Sequence, residues 1–275
     1  MQLTMRQTQS DQVSSVPESV AASVADQTYV DVRAVSHAYG KQGRALEGID
    51  LKIPKGEIVA LIGRSGCGKS TLLHAISGLM KPTDGAIRIG GQLVEQPSPK
   101  WVMMFQSPSL FPWMTVTQNA ALGLRYTGRM KEADARIAEV LDLVDLSEFA
   151  ERNVQDLSGG QQQRAAFARS IAPEPELLLL DEPFSALDIF TRRTLQNDVR
   201  QIAKRLGLTV VLVTHDVGEA VQMADRSVLL SSGPGKIAGD TEIKLDEADR
   251  LSQSRKFQME TTRLRTLYAE IAGVT

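Results

Sequence analysis

Short apolar runs separated by polar segments predict a series of β-strands in this chain. Residues 29–35 and 49–53 have β-like patterns, and residues 58–62 are continuously apolar, as expected of a parallel strand buried on both faces. The runs at residues 177–180 and 210–213 are of the same kind. They predict an α/β protein, because helices usually cover both faces of a parallel sheet.

Helical periods separate these strands and also fill one longer segment. After Leu195, apolar residues recur at offsets 4, 7, 8 and 11, which places them on one face of a helix that Gly207 can end. The alternation of strand and helix indicates a mostly parallel sheet. From about residue 107 to residue 156 the chain has helical periods and no strand pattern, which predicts an inserted helical subdomain.

The two ends of the chain differ from this central part. Residues 1–28 are rich in Gln, Ser and Val and lack aromatic residues, so we expect a flexible N-terminal arm. Residues 227–231 predict a last core strand. Turns are expected after it at Gly233, Pro234, Gly235 and Gly239. Residues 241–275 form a charged tail with one predicted amphipathic helix, whose apolar positions are Leu264, Leu267, Tyr268 and Ile271.

Composition narrows the classes of partner. The 275 residues include 31 Lys and Arg and 33 Asp and Glu, a net charge of −2, so we expect no nucleic-acid partner. Cys67 is the single cysteine and no apolar secretory core follows Met1, which favours the reducing cytoplasm. The sequence has no run of 18 apolar residues, so other chains would supply any membrane spans.

A glycine-rich loop directly follows the predicted strand at residues 58–62. Residues 63–71 read GRSGCGKST and match the phosphate-binding pattern G-x-x-x-x-G-K-[ST]. Successive N–H groups of such a loop point at one anion, and the following helix adds its positive end. The alternative is a glycine-rich turn with a chance Lys-Ser, but a chance match somewhere in such a chain has a probability on the order of 1%. We predict phosphate contacts from Gly63, Ser65, Gly66, Cys67, Gly68, Lys69, Ser70 and Thr71.

Several side chains in and beyond this loop have more specific predicted roles. Lys69 would hold the β and γ phosphates and Ser70 would ligate Mg²⁺, while the inward-pointing N–H groups around Cys67 favour its thiolate. Asp181 ends the predicted strand at residues 177–180 and would bind the Mg²⁺ shell. Glu182 would orient or deprotonate the attacking water. The alternative for both acids is a solvated pair of carboxylates at a strand end.

Residues 157–161, LSGGQ, are the most specific motif of the chain. With the phosphate loop they resemble the nucleotide-binding subunits of ATP-binding cassette (ABC) transporters, over about residues 29–240. Tyr39 lies where that family has the aromatic residue that stacks on adenine. Its Q-loop, D-loop and H-loop match in order at Gln106, residues 185–188 and His215. The resemblance implies a RecA-like P-loop NTPase core with an N-terminal antiparallel β portion and an inserted helical subdomain.

The family resemblance implies that two copies of the chain meet head to tail around ATP. One copy's phosphate loop would face the other's signature residues, which are Ser158, Gly159, Gly160 and Gln161. His215 would hold the γ-phosphate and the attacking water, and Glu182 would assist hydrolysis. Gln106 would sense the nucleotide and join Ser70 and Asp181 as a Mg²⁺ ligand. Asp188 would link the two sites.

Some of these positions have plainer alternatives. His215 could be a cap or a satisfied core residue, and Asp216 with Glu219 has the spacing of a helix-capping pair. Tyr39 could be an aromatic residue of the core. The apolar residues between 107 and 114 could either form a groove for a membrane subunit or anchor the helical insertion to the core.

The resemblance also implies partners and a location. They are a second ATPase subunit, integral membrane permease subunits and a periplasmic solute-binding protein, at the cytoplasmic face of the inner membrane, where this chain would be peripheral. Residues 105–106, 111–116 and 233–237 are most similar to the importer branch for nitrate, sulfonate and taurine. The alternatives are a soluble ABC ATPase that acts on nucleic acid or ribosomes, and the ATPase subunit of an exporter.

We expect Lys69→Ala to abolish ATP binding, because it removes the cation that faces the β and γ phosphates. Isothermal titration calorimetry with ATP measures this loss. Lys81→Ala, which changes a lysine outside the motif, is the matched control and should bind ATP normally. Unchanged ATP affinity of Lys69→Ala would contradict the phosphate-loop assignment.

Overall fold

The computed structural model describes residues 28–40 and 43–271. The predicted arm lies outside the described residues, apart from Thr28, which begins the first strand. The strands are β1 Thr28–Ala38, β2 Arg44–Pro54, β3 Ile58–Ile62, β4 Asp84–Ile89, β5 Gln92–Leu93, β6 Trp101–Met104, β7 Leu177–Asp181, β8 Thr209–Thr214, β9 Arg226–Leu230 and β10 Ile237–Glu242.

Helices alternate with the strands and fill the predicted insertion. They are α1 Lys69–Ser77, α2 Val116–Ala120, α3 Leu122–Tyr126, α4 Ala133–Leu143, α5 Gly159–Ile171, α6 Ile189–Arg205, α7 Val217–Met223, α8 Glu247–Ser252 and α9 Arg255–Ile271. Between α3 and α5, short 3₁₀ turns lie at Met130–Glu132, Ser147–Phe149 and Val154–Asp156. Within the described ranges, none of these helices is both long and apolar enough to cross a bilayer.

The strands form two sheets. The larger has the order β10-β9-β3-β8-β7-β6, and its neighbours pair in parallel except β10, which runs antiparallel to β9. The smaller, β2-β1-β4-β5, is antiparallel. This architecture confirms the predicted α/β fold with an antiparallel portion near the N-terminus.

The central strands of the larger sheet are buried on both faces. In β7, Leu177 and Leu179 join the apolar cluster formed with α1 and the smaller sheet. Leu178 and Leu180 join the cluster on the opposite face, formed with α5, α6, α7 and the helical insertion. All four leucines are 0% exposed. Burial on both faces explains why the sequence is continuously apolar here.

Strand register brings the ends of three strands to one edge of the sheet. β3 lies between β8 and β9, Ile62 pairs with Thr214, and Asp181 pairs with Val213. The segments that follow β3, β7 and β8 therefore emerge side by side. In open α/β sheets, ligands bind at this carboxyl edge.

The tail folds differently from the sequence-based expectation. Gly239, expected in a turn, lies inside β10, so Ser227–Ser231 is not the last strand and the tail holds two helices. A Cβ atom at Gly239 would lie 2.9 Å from Ile271 Cδ1 of α9. The close approach of Ile271 and Leu229 leaves little room for a side chain at this point of the strand.

Candidate nucleotide-hydrolysing site

The phosphate loop has a backbone that only glycine adopts easily. Gly66 has a φ of 80° and Gly68, the N-cap of α1, has a φ of 95°. A Cβ atom at Gly68 would also lie 2.6 Å from Leu46 Cδ2 and 2.8 Å from the Ala45 carbonyl oxygen. The loop thus ends at the N-terminus of α1 in the geometry that an anion-binding loop requires.

Lys69 lies folded across the loop that precedes it. The residue is 5% exposed, and its Nζ donates to the carbonyl oxygens of Gly63 at 2.8 Å and Arg64 at 3.1 Å. Both partners are neutral, and no ion pair to Lys69 is formed among the described residues. A buried ammonium group without an acidic partner is a strong attractor for an anion.

A cavity of about 340 Å³ opens over this loop. Tyr39 stands at its edge, 46% exposed, with its Oη 3.2 Å from Thr71 Oγ1 and its ring edge-on to His37. Tyr39 is therefore not a core residue, and its ring is free to stack on a base. The lining residues are Tyr39, Ala45, Ser65, Gly66, Gly68, Lys69, Ser70, Thr71 and Glu182.

Two of the predicted Mg²⁺ ligands lie together. Ser70, at the second position of α1, donates from its Oγ to Asp181 Oδ1 over 3.0 Å, at the end of β7. A hydroxyl and a carboxylate side by side are oxygen donors of the kind that Mg²⁺ takes in nucleotide sites. The pair beside the phosphate loop therefore fits a magnesium ion.

The third predicted Mg²⁺ ligand, Gln106, is hydrogen-bonded to neither Ser70 nor Asp181. Its Nε2 donates to Ser185 Oγ at 3.0 Å, and Ser185 Oγ donates to the Glu182 carbonyl oxygen at 3.0 Å. The amide therefore contacts the D-loop rather than the Ser70 and Asp181 pair. Its role as a Mg²⁺ ligand stays a prediction.

Glu182 and His215 form a pair at the carboxyl edge of the sheet. His215 Nδ1 lies 3.1 Å from Glu182 Oε2, and the two side chains are 63% and 26% exposed. Glu182 has a φ of 46°, a conformation that costs a non-glycine residue energy and is often found at functional sites. This backbone turn lets Glu182 line the cavity over the phosphate loop.

The signature residues build the start of a helix. Ser158 Oγ accepts from the Gln161 N–H at 3.3 Å, and Gln161 Oε1 accepts from the Ser158 N–H at 2.9 Å, a capping box for α5. A Cβ atom at Gly159 would make only an ordinary contact, 3.9 Å from Leu187 Cδ2, whereas a Cβ atom at Gly160 would lie 2.5 Å from Thr191 Cγ2 of α6. The described residues that line the nucleotide cavity include none of these four.

Asp188 caps the next helix. Its Oδ1 accepts from the backbone N–H groups of Phe190 at 3.0 Å and Thr191 at 3.1 Å. Hydrogen bonds from Thr191 hold the pKa of the Asp188 carboxyl below its usual value. The carboxylate is ionised and exposed at the N-terminus of α6, where a negative charge is favourable.

The expected thiolate at Cys67 is wrong. Cys67 is 1% exposed, and burial raises the pKa of its thiol despite the opposing charge of Lys69. A Cβ atom at Gly63 would lie 2.4 Å from Cys67 Sγ, so the thiol packs beneath the loop and does not face the cavity. Cys67 contributes its backbone to the loop, and its side chain belongs to the core.

The inward orientation of Glu219 is not predicted by its spacing from Asp216. Asp216 does cap α7, accepting from the Gly218 and Glu219 N–H groups, but Glu219 turns inward and accepts from Gln196 Nε2 at 3.1 Å. Burial raises the pKa of Glu219 to about 7. The available signal was a carboxylate on the apolar helix directly after His215.

The phosphate loop, the acidic strand end and the paired histidine define a P-loop ATPase cassette. Residues 46–185 match the family model described as ABC transporter. The chain therefore belongs to the ABC transporter family, and its fold is that of an ATP-hydrolysing cassette. This membership confirms the resemblance that the motifs indicated.

Individual relatives support the assignment. The chain is 49% identical over 210 residues to the bicarbonate transport ATP-binding protein CmpC of Synechococcus elongatus, which covers 75% of this chain and 32% of CmpC. It thus spans about a third of that relative's length. It is 44% identical over 223 residues to the nitrate import ATP-binding protein NrtD of a Synechocystis species, covering 80% of this chain and 84% of NrtD.

A solved structure agrees with the fold. A dimeric ATP-binding cassette in a post-hydrolysis state, bound to ADP and Pi, superposes with a TM-score of 0.69 at 31% identity. The match covers 79% of this chain and 100% of that one.

We expect Cys67 of the folded protein to react slowly with a maleimide at pH 7, because its thiol is buried and its pKa is raised. Mass spectrometry measures the rate of labelling, and the same reaction in denaturant gives the rate for the unfolded chain. A raised pKa leaves less thiolate at pH 7, and reaction should speed up as the pH rises. Equal rates in the folded and unfolded chain would contradict the buried placement.

Proposed function

We propose that this chain binds and hydrolyses MgATP in a head-to-tail dimer and drives solute uptake through a separate permease. One observation carries the proposal. Glu182 lines the same cavity as Lys69 and Ser70 while its carboxylate contacts His215. The phosphate-binding and water-activating parts of an ATPase therefore meet at one cleft.

The cavity suits a nucleoside triphosphate. The N–H groups of loop residues 63–71 would surround the phosphates, and the Lys69 ammonium, which donates to the Gly63 carbonyl oxygen at 2.8 Å, would contact the β and γ phosphates. Tyr39 supplies an exposed ring for adenine at the edge of the same cavity. Ser70 and Asp181 would hold Mg²⁺, which supplies charge neutralisation at the phosphates when it is bound.

Hydrolysis needs a water aimed at the γ-phosphate. Glu182 would accept a proton from that water as it attacks, since its carboxylate faces the cavity. The His215 ring, 3.1 Å from Glu182, would hold the carboxylate and the γ-phosphate in line. Gln106, hydrogen-bonded to Ser185, would sense the nucleotide through the D-loop.

The signature residues support the dimer. Ser158, Gly159, Gly160 and Gln161 lie at an N-terminus of a 13-residue helix, a favourable place for an anion. Because they do not line the phosphate-loop cavity of their own chain, the nucleotide that they contact would be bound to a second copy. Asp188, exposed at the start of α6, would link the two sites across the interface.

An exposed aromatic surface supports a membrane partner. Phe111 and Trp113 pack edge to face with centroids 5.3 Å apart, yet Trp113 is 70% exposed and Phe105 nearby in sequence is 43% exposed. Such a patch is typical of a protein-binding site, which favours the groove over a simple anchor. The permease would bind here at the cytoplasmic face of the inner membrane.

The relatives support import as the direction of transport. CmpC is named for bicarbonate transport and NrtD for nitrate import. We therefore propose a small solute of the nitrate, sulfonate or taurine kind, delivered by a periplasmic solute-binding protein.

We expect Glu182→Gln to bind ATP but to hydrolyse it at least about a hundredfold more slowly, because the general base is lost. The variant should accumulate as an ATP-bound dimer. Phosphate release and size-exclusion chromatography with ATP measure the two effects, with Glu242→Gln on β10 as the control. Near-normal turnover would remove Glu182 from its role.

We expect the tagged chain, purified from detergent-solubilised membranes, to carry a multi-span permease in equal copy number. Trp113→Ser should lose the permease because it removes the most exposed aromatic residue of the patch, whereas Tyr126→Ser, 83% exposed on α3, should keep it. Quantitative mass spectrometry reads both. Recovery with ribosomes or DNA instead would overturn the transport proposal.

A further inference from the structure

Glu219 is a buried carboxylate next to the proposed reaction site. It lies on α7, is 8% exposed, and accepts hydrogen bonds from two buried donors. Gln196 Nε2 of α6 donates to its Oε1 at 3.1 Å, and the Thr214 hydroxyl at the end of β8 donates to its Oε2. A buried carboxylate costs folding energy unless it is satisfied in this way.

The Thr214 hydroxyl connects Glu219 to the turn that carries His215. Its Oγ1 accepts from the Asp216 N–H at 2.9 Å, so hydrogen bonds fix the residues on both sides of His215. The His215 side chain is 63% exposed, and packing therefore restrains it little. The position of its ring depends on this backbone turn.

A small cavity lies between Glu219 and the D-loop. Arg192 of α6 donates to the carbonyl oxygens of Ser185 at 3.3 Å and Leu187 at 2.8 Å. Arg192 and Glu219 both line a small cavity of about 50 Å³. The other lining residues are Glu182, Phe184, Ser185, Thr214, His215 and Asp216.

We propose that Glu219 is a positioning residue for ATP hydrolysis, which holds His215 in reach of Glu182 through the Thr214 hydroxyl. The inference rests on the proposed ATPase function and deepens it. Glu219 does not touch the nucleotide cavity, whose lining residues do not include it. It acts by fixing the geometry of a pair whose atoms must stay within about 3 Å for hydrogen bonding.

The charges around Glu219 make this arrangement sensitive to pH. Burial and, to a smaller extent, Asp216 raise its pKa to about 7, whereas the hydrogen bonds from Thr214 and Gln196 and the charge of Arg192 oppose the shift. Glu182 and His215 face the same small cavity. Protonation of Oε2 below about pH 7 turns that oxygen into a donor, so the Thr214 hydroxyl loses its anionic acceptor and its bond to Glu219 is weakened or reversed.

We expect Glu219→Gln to lower kcat by about tenfold to a hundredfold, the effect of a small misplacement of a reacting group. The glutamine side chain has the same shape as glutamate, but its N–H₂ group would face one of the two donors and could not accept that hydrogen bond. The KM for ATP should stay within about twofold, since the phosphate loop is unchanged. The wild-type loss of kcat as pH falls through about 7 should be reduced in the variant.

Gln222→Met is the matched control. Gln222 also lies on α7, is 2% exposed, and donates to Asn197 Oδ1 of α6 at 2.5 Å. This substitution removes a buried hydrogen bond between the same two helices without touching Thr214. It should lower the Tm while kcat and its pH profile stay as in the wild type.

Variants of Thr214 test the same connection from the other side. Thr214→Val removes the hydroxyl and should reproduce the kcat loss, whereas Thr214→Ser keeps the donor and should rescue activity. If Glu219→Gln does not fold, this pair decides the question. Equal kcat for Val and Ser would overturn the proposal.

Two further outcomes also overturn it. One is an unchanged kcat in Glu219→Gln, and the other is an equal kcat loss in Glu219→Gln and Gln222→Met, which would show a role in stability alone. A wild-type protein that binds ATP but never hydrolyses it would instead contradict the proposed function. The assays are steady-state phosphate release from pH 6 to pH 9 and thermal unfolding.

Discussion

The parallel register of β3, β7 and β8 is the constraint on which the site depends. Pairing of Ile62 with Thr214 and of Asp181 with Val213 brings three strands to an end at one level. Segments far apart in the chain then leave the sheet side by side. A slip by one residue would exchange leucines for leucines between the two apolar faces, so the apolar pattern of β7 alone does not fix the register. Such a slip would move Asp181 away from Ser70, and the site therefore depends on the register.

Residues with unusual backbone conformations shape the site at this edge of the sheet. The loop before α1 uses glycines with positive φ at Gly66 and Gly68, where a side chain would be strained or would clash. Glu182 takes a similar φ of 46° without being glycine, because the position needs a carboxylate. The surrounding register, including the bond from the Glu182 N–H to the Val213 carbonyl oxygen at 3.0 Å, holds this costly conformation in place.

The sequence predicts the features that depend on local patterns. Continuous apolar runs predict the buried strands, and the loop at residues 63–71 predicts the phosphate site, because each pattern lies within a few residues. The failures depend on distant contacts. Gly239 follows other glycines in the sequence and was therefore expected in a turn. The residue that packs on it, Ile271, lies 32 residues further along the chain, so no local pattern indicates the contact.

The orientations of two side chains at the site also depend on contacts that are distant in sequence. The neighbouring N–H groups suggested a reactive Cys67, but the packing that buries the thiol comes from elements that the sequence does not place beside it. Glu219 has the spacing of a capping residue after Asp216, and its inward turn depends on Gln196 of another helix. A single sequence does not encode such directions in any local pattern.

The contact between Gly160 and Thr191 has a mechanical consequence. A Cβ atom at Gly160 would lie 2.5 Å from Thr191 Cγ2, so the first turns of α5 and α6 pack closely there, and the Thr191 N–H is bonded to Asp188 Oδ1 at 3.1 Å. The start of α5 and the start of α6 are therefore in direct contact. In a head-to-tail dimer, ATP that displaces the signature residues would therefore also displace Asp188. Nucleotide binding at one site would then change the geometry at the other.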